Sequence, residues 1–147
     1  MCRRVRLTGS VEIALPPEEA FVLFTPTGER SWVQDWDPVF PDDCSDEVEP
    51  GTVFTTLHGD RESIWTVVHI HVGRSIAYAV TRPDERSGLV SVTCEPTARG
   101  TMATVSYDLT TLDREADAEL ERFAANYPSF LAHWERCIAE AVEAKPH

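Results

Sequence analysis

Residues 112–145 decide the fold, and they read LDREADAELERFAANYPSFLAHWERCIAEAVEAK. Apolar side chains recur in this stretch at steps of three and four, the spacing that places them on one side of an α-helix. The stripe consists of Ala116, Leu120, Phe123, Tyr127, Phe130, Leu131, Trp134, Ile138 and Ala141. The spacing therefore predicts one long amphipathic helix over Leu112–Lys145, whose aromatic face has to be covered by the rest of the chain.

Pro128 falls inside this predicted helix. Proline has no amide hydrogen to donate to the carbonyl of Ala124, and its ring clashes with that carbonyl. We therefore expect a kink between Ala124 and Pro128. The bend would either loosen carbonyl groups beside a ligand or only improve the packing of the helix on a twisted sheet.

Short strands precede the helix. Apolar residues alternate with polar ones over Arg3–Leu15, which predicts a half-buried first strand. From residue 52 to residue 111, turn residues divide the chain into five strands close enough to follow one another as an antiparallel meander. The predicted ranges are Thr52–His58, Glu62–Val72, Ser75–Thr81, Leu89–Glu95 and Thr101–Thr111. The range 62–72 carries large side chains on both faces of the strand, so the alternation does not decide which face is covered.

Two short helices and a loop are predicted between the first strand and the meander. Pro16 and Pro17 suit a helix start, and Pro26 ends that helix because the residue before a proline avoids helical angles. A second short helix is expected over Gly28–Val33. The turn-rich segment Gln34–Gly51 reads as a loop that carries Trp36 and Phe40.

Bulk composition narrows the class of protein. With 147 residues, the chain is expected to form a single domain, 1–147, that can bury a sizeable core. A formal net charge of −12 argues against nucleic acid as a partner. The sequence shows neither an apolar run of membrane-spanning length nor a secretory signal, so we expect a cytoplasmic protein without membrane insertion. The cysteines form no C-x-x-C pair, and Cys94 and Cys137 are expected to be reduced core residues.

Three local motifs resemble those of a known superfamily. They are VEIALPPEEAF at residues 11–21, WVQDWDP at residues 32–38, and Gly100-Thr101 leading to SYDLT at residues 106–110. Together with the order of elements, they resemble the START-related helix-grip (SRPBCC) superfamily, which includes polyketide cyclase/dehydrase-like proteins and activator-of-heat-shock-ATPase homologues. The resemblance implies an α+β helix-grip fold, with an antiparallel sheet of about six strands around a long C-terminal helix and two short helices after strand 1. It also implies an apolar cavity between sheet and helix.

Aromatic residues supply most of the candidate ligand-binding side chains. Trp32 and Trp36 could clamp a flat ligand at the cavity mouth, or could simply pack beneath the loop. Inward tyrosine hydroxyls would need a partner, which a ligand could supply. The full candidate set is Trp32, Trp36, Phe40, Phe54, Trp65, Tyr78, Val105, Tyr107, Phe123, Tyr127 and Phe130.

Histidines are the other candidates for chemistry. His58 shares a strand face with Phe54 and is the candidate catalytic residue, as a general base or hydrogen-bond donor; a position at the rim is the alternative. His69 and His71 lie on one strand face at a spacing compatible with a metal, but no third ligand is evident. We expect them at a solvated strand end, with no metal and no cofactor.

These observations predict binding of a small apolar or aromatic ligand, such as a lipid or polyketide. Two alternatives stay open: a polyketide cyclase/dehydratase-like enzyme using general acid/base catalysis, and a co-chaperone-like module that binds protein through its acidic surface. The expected partner is a small hydrophobic molecule, and the chain is expected to be a monomer or weak homodimer.

Overall fold

Six antiparallel strands form one open sheet. A computed structural model describes residues 3–41 and 47–144. The strands are β1 (Arg4–Ile13), β2 (Val53–His58), β3 (Arg61–His71), β4 (Ser75–Arg82), β5 (Arg86–Thr97) and β6 (Gly100–Thr111). Their order across the sheet is β1-β6-β5-β4-β3-β2. Strands β2 to β6 therefore form the predicted meander. Strand β1 is added at its edge by pairing with β6 from Arg4↔Thr110 to Ile13↔Thr101.

The covered face of the sheet follows the predicted alternation. Val90, Val92 and Cys94 of β5 are buried, as are Ala103 and Val105 of β6. On β3, the parity left open by the sequence is resolved by a register shift between Val67 and His69. This bulge turns Ile70 toward the core beside its partner Ile76.

The C-terminal helix is not continuous. A 3₁₀ turn (Arg114–Ala116) leads into α2 (Asp117–Ala125), and α3 (Tyr127–Ala144) follows after a break at Asn126. The predicted long C-terminal helix is present, but it begins after the 3₁₀ turn and not at Leu112. The missing amide of Pro128 divides it into two helices near the expected kink. The residues on either side of the break keep their predicted phase, since Leu120, Tyr127, Leu131 and Ile138 are all buried.

Helix α3 crosses the sheet at β1. A Cβ atom at Gly9 would overlap the Cδ1 atom of Leu131, so a larger residue there would require the Leu131 side chain to shift. Two short helical elements lie between β1 and β2 along the chain. They are α1 (Pro17–Val22) and a 3₁₀ helix over Gly28–Ser31, which is shorter than the predicted Gly28–Val33. No helix of the described residues is long and apolar enough to cross a membrane.

The predicted loop 34–51 is irregular where it is described, and it pairs with the edge of the sheet. Val39 and Thr55 exchange two backbone hydrogen bonds of 2.9 Å each. Residues 42–46 of this loop lie outside the described residues, as do Cys2 and Lys145. Cys94 is fully buried, as expected, whereas Cys137 is half-buried.

Candidate functional site

A cavity of about 330 Å³ lies between the sheet, the 3₁₀ helix at Gly28–Ser31 and helices α2 and α3. Its aromatic walls are formed by Trp36, Trp65, Tyr107, Phe123, Phe130 and Trp134. Polar side chains also reach it, namely Glu29, Thr56, Ser63, Arg82 and Arg86. Val33, Val80 and Leu109 complete the interior, and the exposed residues Gln34, Asp35, Leu57 and His58 mark the mouth. The volume is at the lower end of the range found for small-molecule sites.

Six of the twelve predicted site residues lie in this wall. They are Trp36, His58, Trp65, Tyr107, Phe123 and Phe130. The indole N–H groups of the two tryptophans are used within the protein, since Trp36 donates to the carbonyl of Pro26 (2.7 Å) and Trp65 donates to the hydroxyl of Thr56 (3.0 Å). Their rings are held in place by these bonds, which leaves apolar ring surface toward the cavity.

The other six predicted residues lie behind the wall, in the core. They are Trp32, Phe40, Phe54, Tyr78, Val105 and Tyr127. Phe54 stacks on Trp65 with ring centroids 5.8 Å apart, and Trp32 meets Trp134 edge-on at 4.9 Å. Trp32 is fixed further by its N–H, which donates to the carbonyl of Leu23 at 2.7 Å. These side chains support the cavity wall and do not line it.

Two of the three tyrosine hydroxyls donate to main-chain carbonyls, and the third has no partner among the described residues. Tyr78 donates to the carbonyl of Phe24 and Tyr127 donates to the carbonyl of Val105, both at 2.7 Å. Tyr107 forms no hydrogen bond with any described residue, although its ring packs edge-on against Phe123. Burial, and then the negative charge of Glu29, raise the pKa of Tyr107, so the hydroxyl stays protonated and able to donate.

Glu29 brings a carboxyl group into the aromatic cavity. Its backbone is fixed by the 3₁₀ helix, where its N–H donates to Thr25 (3.0 Å) and its carbonyl accepts from Val33 (2.8 Å). The carboxyl itself has no hydrogen bond or ion pair with any residue in 3–41 or 47–144. Burial raises the pKa of Glu29 well above its ordinary value, because the charged form loses its hydration without gaining a partner.

Two arginines enter the cavity from the hairpin between β4 and β5. Arg82 and Arg86 are directly opposite each other across that hairpin. The guanidinium of Arg82 lies 3.9 Å from the carboxylate of Glu119 and 4.0 Å from that of Glu85. The guanidinium of Arg86 lies over the ring of Phe123 at 5.4 Å and forms no ion pair with the described acidic groups. Burial, and then the neighbouring charge of Arg82, lower the pKa of Arg86.

The histidines occupy more exposed positions. His58 continues the inward face of Phe54 and Thr56, but it ends β2 and is exposed at the cavity mouth. His69 and His71 are exposed on the outer face of β3 beyond the bulge. Within the described part of the chain, no three His, Cys, Asp or Glu side chains are grouped closely enough to hold a metal ion.

The sequence reasoning missed the charged lining residues. Arg82 has the same parity as Tyr78 and Val80 in β4, and Arg86 has the same parity as Val90 in β5. Strand alternation alone therefore indicated two inward charges. Glu29 gave no comparable signal, because a 3₁₀ helix of four residues has no readable inward face.

The comparisons with known proteins agree with this architecture. A sequence model of the family described as polyketide cyclase / dehydrase and lipid transport matches residues 4–135. No protein of curated function matches the sequence significantly.

Solved structures with the same fold cover almost all of the chain. An uncharacterised protein from Rhizobium leguminosarum is 17% identical, with a TM-score of 0.70 over 95% of this chain and 97% of that one. The Aha1 dimer from Colwellia psychrerythraea is 13% identical, with a TM-score of 0.64 over 91% of this chain and 96% of that one. The protein DynU16 of the dynemicin biosynthetic locus is 20% identical, with a TM-score of 0.58 over 90% of this chain and 46% of that one. At these identities the likeness shows the fold alone, and it confirms the predicted helix-grip architecture.

Proposed function

Since this chain belongs to the polyketide cyclase / dehydrase and lipid transport family, we propose that its cavity binds a small apolar or aromatic molecule. The observation that carries the proposal is the cavity itself, whose wall presents six aromatic side chains. A ligand of lipid or polyketide character would replace water on those rings and bury apolar surface, which is favourable by about 25 cal/mol per Å². Its polar atoms would meet Glu29, Tyr107 and Arg86.

Calorimetric titration tests this proposal. The probes are 2-naphthol, 9,10-anthraquinone and 1-dodecanol, and the expected result is a dissociation constant in the micromolar range, about −8 kcal/mol, for at least one of them. Val80 is an inward lining residue, so Val80→Trp should fill the cavity and abolish the binding heat. Leu89 is exposed on the neighbouring strand, so Leu89→Trp adds the same side chain outside the cavity and should bind as the wild type does.

Far-UV circular dichroism and melting curves establish that both variants fold. If no probe binds the wild type, or if Val80→Trp binds as well as Leu89→Trp does, the cavity is not the binding site. That result would favour a co-chaperone-like module, in which the outer surface binds a partner protein.

The state of Glu29 favours a second candidate function, that of a dehydratase. Burial raises the pKa of the Glu29 carboxyl group, which therefore keeps its proton to a higher pH than an ordinary glutamate does and can give that proton to a departing hydroxyl. The resulting carboxylate can take a proton from the adjacent carbon, so that water leaves and a C=C bond forms. Tyr107 could donate a hydrogen bond to the carbonyl that activates that carbon. His58, the other candidate for this chemistry, is exposed at the cavity mouth, whereas Glu29 is partly buried.

A β-hydroxyacyl thioester of N-acetylcysteamine is a suitable substrate, since its dehydration creates a conjugated product that absorbs in the ultraviolet. Turnover by the wild type that falls at least about 100-fold in Glu29→Gln, with 2-naphthol binding retained, would support the dehydratase. Equal rates with and without the wild-type protein would leave ligand binding as the function.

A further inference from the structure

A cluster of ionised side chains lies beside the cavity at the β4–β5 hairpin. It comprises Arg61, Arg82 and Arg86 with Glu85 and Glu119, and Asp60 adds negative charge beside Arg61. Arg61 lies 3.0 Å from both Glu85 and Glu119, and Arg82 lies 4.0 and 3.9 Å from the same two carboxylates. Both glutamates are therefore already engaged by arginines other than Arg86.

The side chain of Arg86 is held where these glutamates do not reach it. Its guanidinium lies over the ring of Phe123 and lines the cavity, and among the described residues no oxygen accepts a hydrogen bond from it. A guanidinium carries five N–H donors. Those of Arg86 have no acceptor among the described residues, so they are available to a complementary group that enters the cavity.

We propose that Arg86 is an anion-recognition residue and that the ligand of this cavity is an amphipathic carboxylic acid. Its carboxylate would accept two parallel hydrogen bonds from the Arg86 guanidinium, a pairing for which the planar fork of arginine is suited. Its alkyl or aromatic body would lie along Trp36, Trp65 and Trp134. The inference rests on the proposed binding function and adds the chemical class of the ligand.

Matched acid and amide pairs test this proposal. Dodecanoate is compared with dodecanamide, and 2-naphthoate with 2-naphthamide, by calorimetry at one pH and one ionic strength. The wild type should bind the acid of at least one pair roughly 10- to 100-fold more tightly than the amide, the range expected for a hydrogen-bonded charged group. Arg86→Gln should remove most of this preference and leave amide affinity within roughly threefold of the wild type.

Arg122→Gln is the matched control. Arg122 is exposed on α2 beside Phe123 and does not line this cavity, so the variant loses the same charge and should keep the preference for the acid. Arg86→Lys retains the charge without the bidentate fork and should fall between the wild type and Arg86→Gln. Removing the Arg86 guanidinium leaves no described hydrogen-bond or ion-pair partner unsatisfied, so variants at this position should melt close to the wild-type temperature.

The results distinguish a failure of the proposed Arg86 role from a failure of cavity binding itself. Equal affinity of acids and amides for the wild type, or an acid preference that survives in Arg86→Gln, would overturn the role of Arg86 while cavity binding stands. A preference lost equally in Arg122→Gln and Arg86→Gln would assign it to long-range charge and also overturn that role. Failure of all four compounds, together with the three neutral probes, would overturn cavity binding and this inference with it.

Discussion

Replacing Tyr78 and Tyr107 by phenylalanine, one at a time, removes the same atom from two residues with opposite surroundings. The Tyr78 hydroxyl donates to the carbonyl of Phe24 at 2.7 Å, and no other described group donates to that carbonyl. Tyr78 and Phe24 are both almost fully buried, so Tyr78→Phe leaves a carbonyl without a partner and away from water. Such a loss costs about 1–3 kcal/mol of unfolding free energy.

Tyr107→Phe should behave in the opposite way. Its hydroxyl has no partner among the described residues, so its removal should change the unfolding free energy by less than about 0.5 kcal/mol. If the hydroxyl instead bonds the ligand, the variant should weaken ligand affinity roughly 3- to 10-fold, the value of one net hydrogen bond. Tyr78→Phe would then lose stability, whereas Tyr107→Phe would lose ligand affinity.

Urea unfolding followed by circular dichroism measures the stability term, with Tyr127→Phe as a second case because Tyr127 donates to Val105. A loss of 2 kcal/mol corresponds to a fall of about 4–8 °C in melting temperature for a protein of this size. The reasoning is refuted if Tyr107→Phe is destabilised as much as Tyr78→Phe, because the Tyr107 hydroxyl would then be bonded within the protein. It is refuted equally if Tyr78→Phe is neutral.

Three further predictions concern a buried charge, the close approach of β5 and β6, and the junction before α2. Burial raises the pKa of Glu29 above its ordinary value of 4.5, so the folded state holds this proton more tightly than the unfolded chain does. Stability contributed by the protonated carboxyl is present below pH 4.5 and is lost as the pH rises through the folded pKa. Glu29→Gln should therefore gain stability over the wild type with rising pH in urea titrations, and a constant difference between the two proteins from pH 4.5 to 9 would contradict a buried carboxyl. Gly88→Ala should lower the unfolding free energy by about 2 kcal/mol or more in the same assay, because a Cβ atom there would overlap the carbonyl oxygen of Asp108; a neutral variant would mean that β5 and β6 separate easily. Thr111→Val should cost about 1–2 kcal/mol, since the Thr111 hydroxyl accepts from the N–H of Arg3 (2.8 Å) and donates to the carboxylate of Asp117 (2.6 Å), and an unchanged melting temperature would exclude this link between β1 and α2.

Local patterns in the sequence predicted the order of the strands and helices, and the resemblance to a known superfamily supplied the helix-grip fold. Alternation placed Val90, Val92 and Cys94 on the covered face, and the three- and four-residue spacing placed Leu120, Leu131 and Ile138 against the sheet. Such periodicities are imposed by backbone geometry, so they can be read without knowing the partners. The loss of an amide at Pro128 is equally local, and it predicted where the helix is interrupted, although not that α2 and α3 would be separate helices.

Only the tertiary structure decided which of those inward residues face empty space. Tyr78, Tyr107 and Tyr127 all belong to the covered surface, yet two of their hydroxyls reach main-chain carbonyls and the third does not. The same holds for charge: Arg82 and Arg86 are equivalent by alternation, but the carboxylates that engage Arg82 come from α2 and from the hairpin turn. Glu29 enters the cavity from a short 3₁₀ helix whose direction depends on its packing. Periodicity determines the side of an element on which a residue lies, whereas the partner that it finds there depends on segments distant in sequence, and that difference separates the fold from the site in this protein.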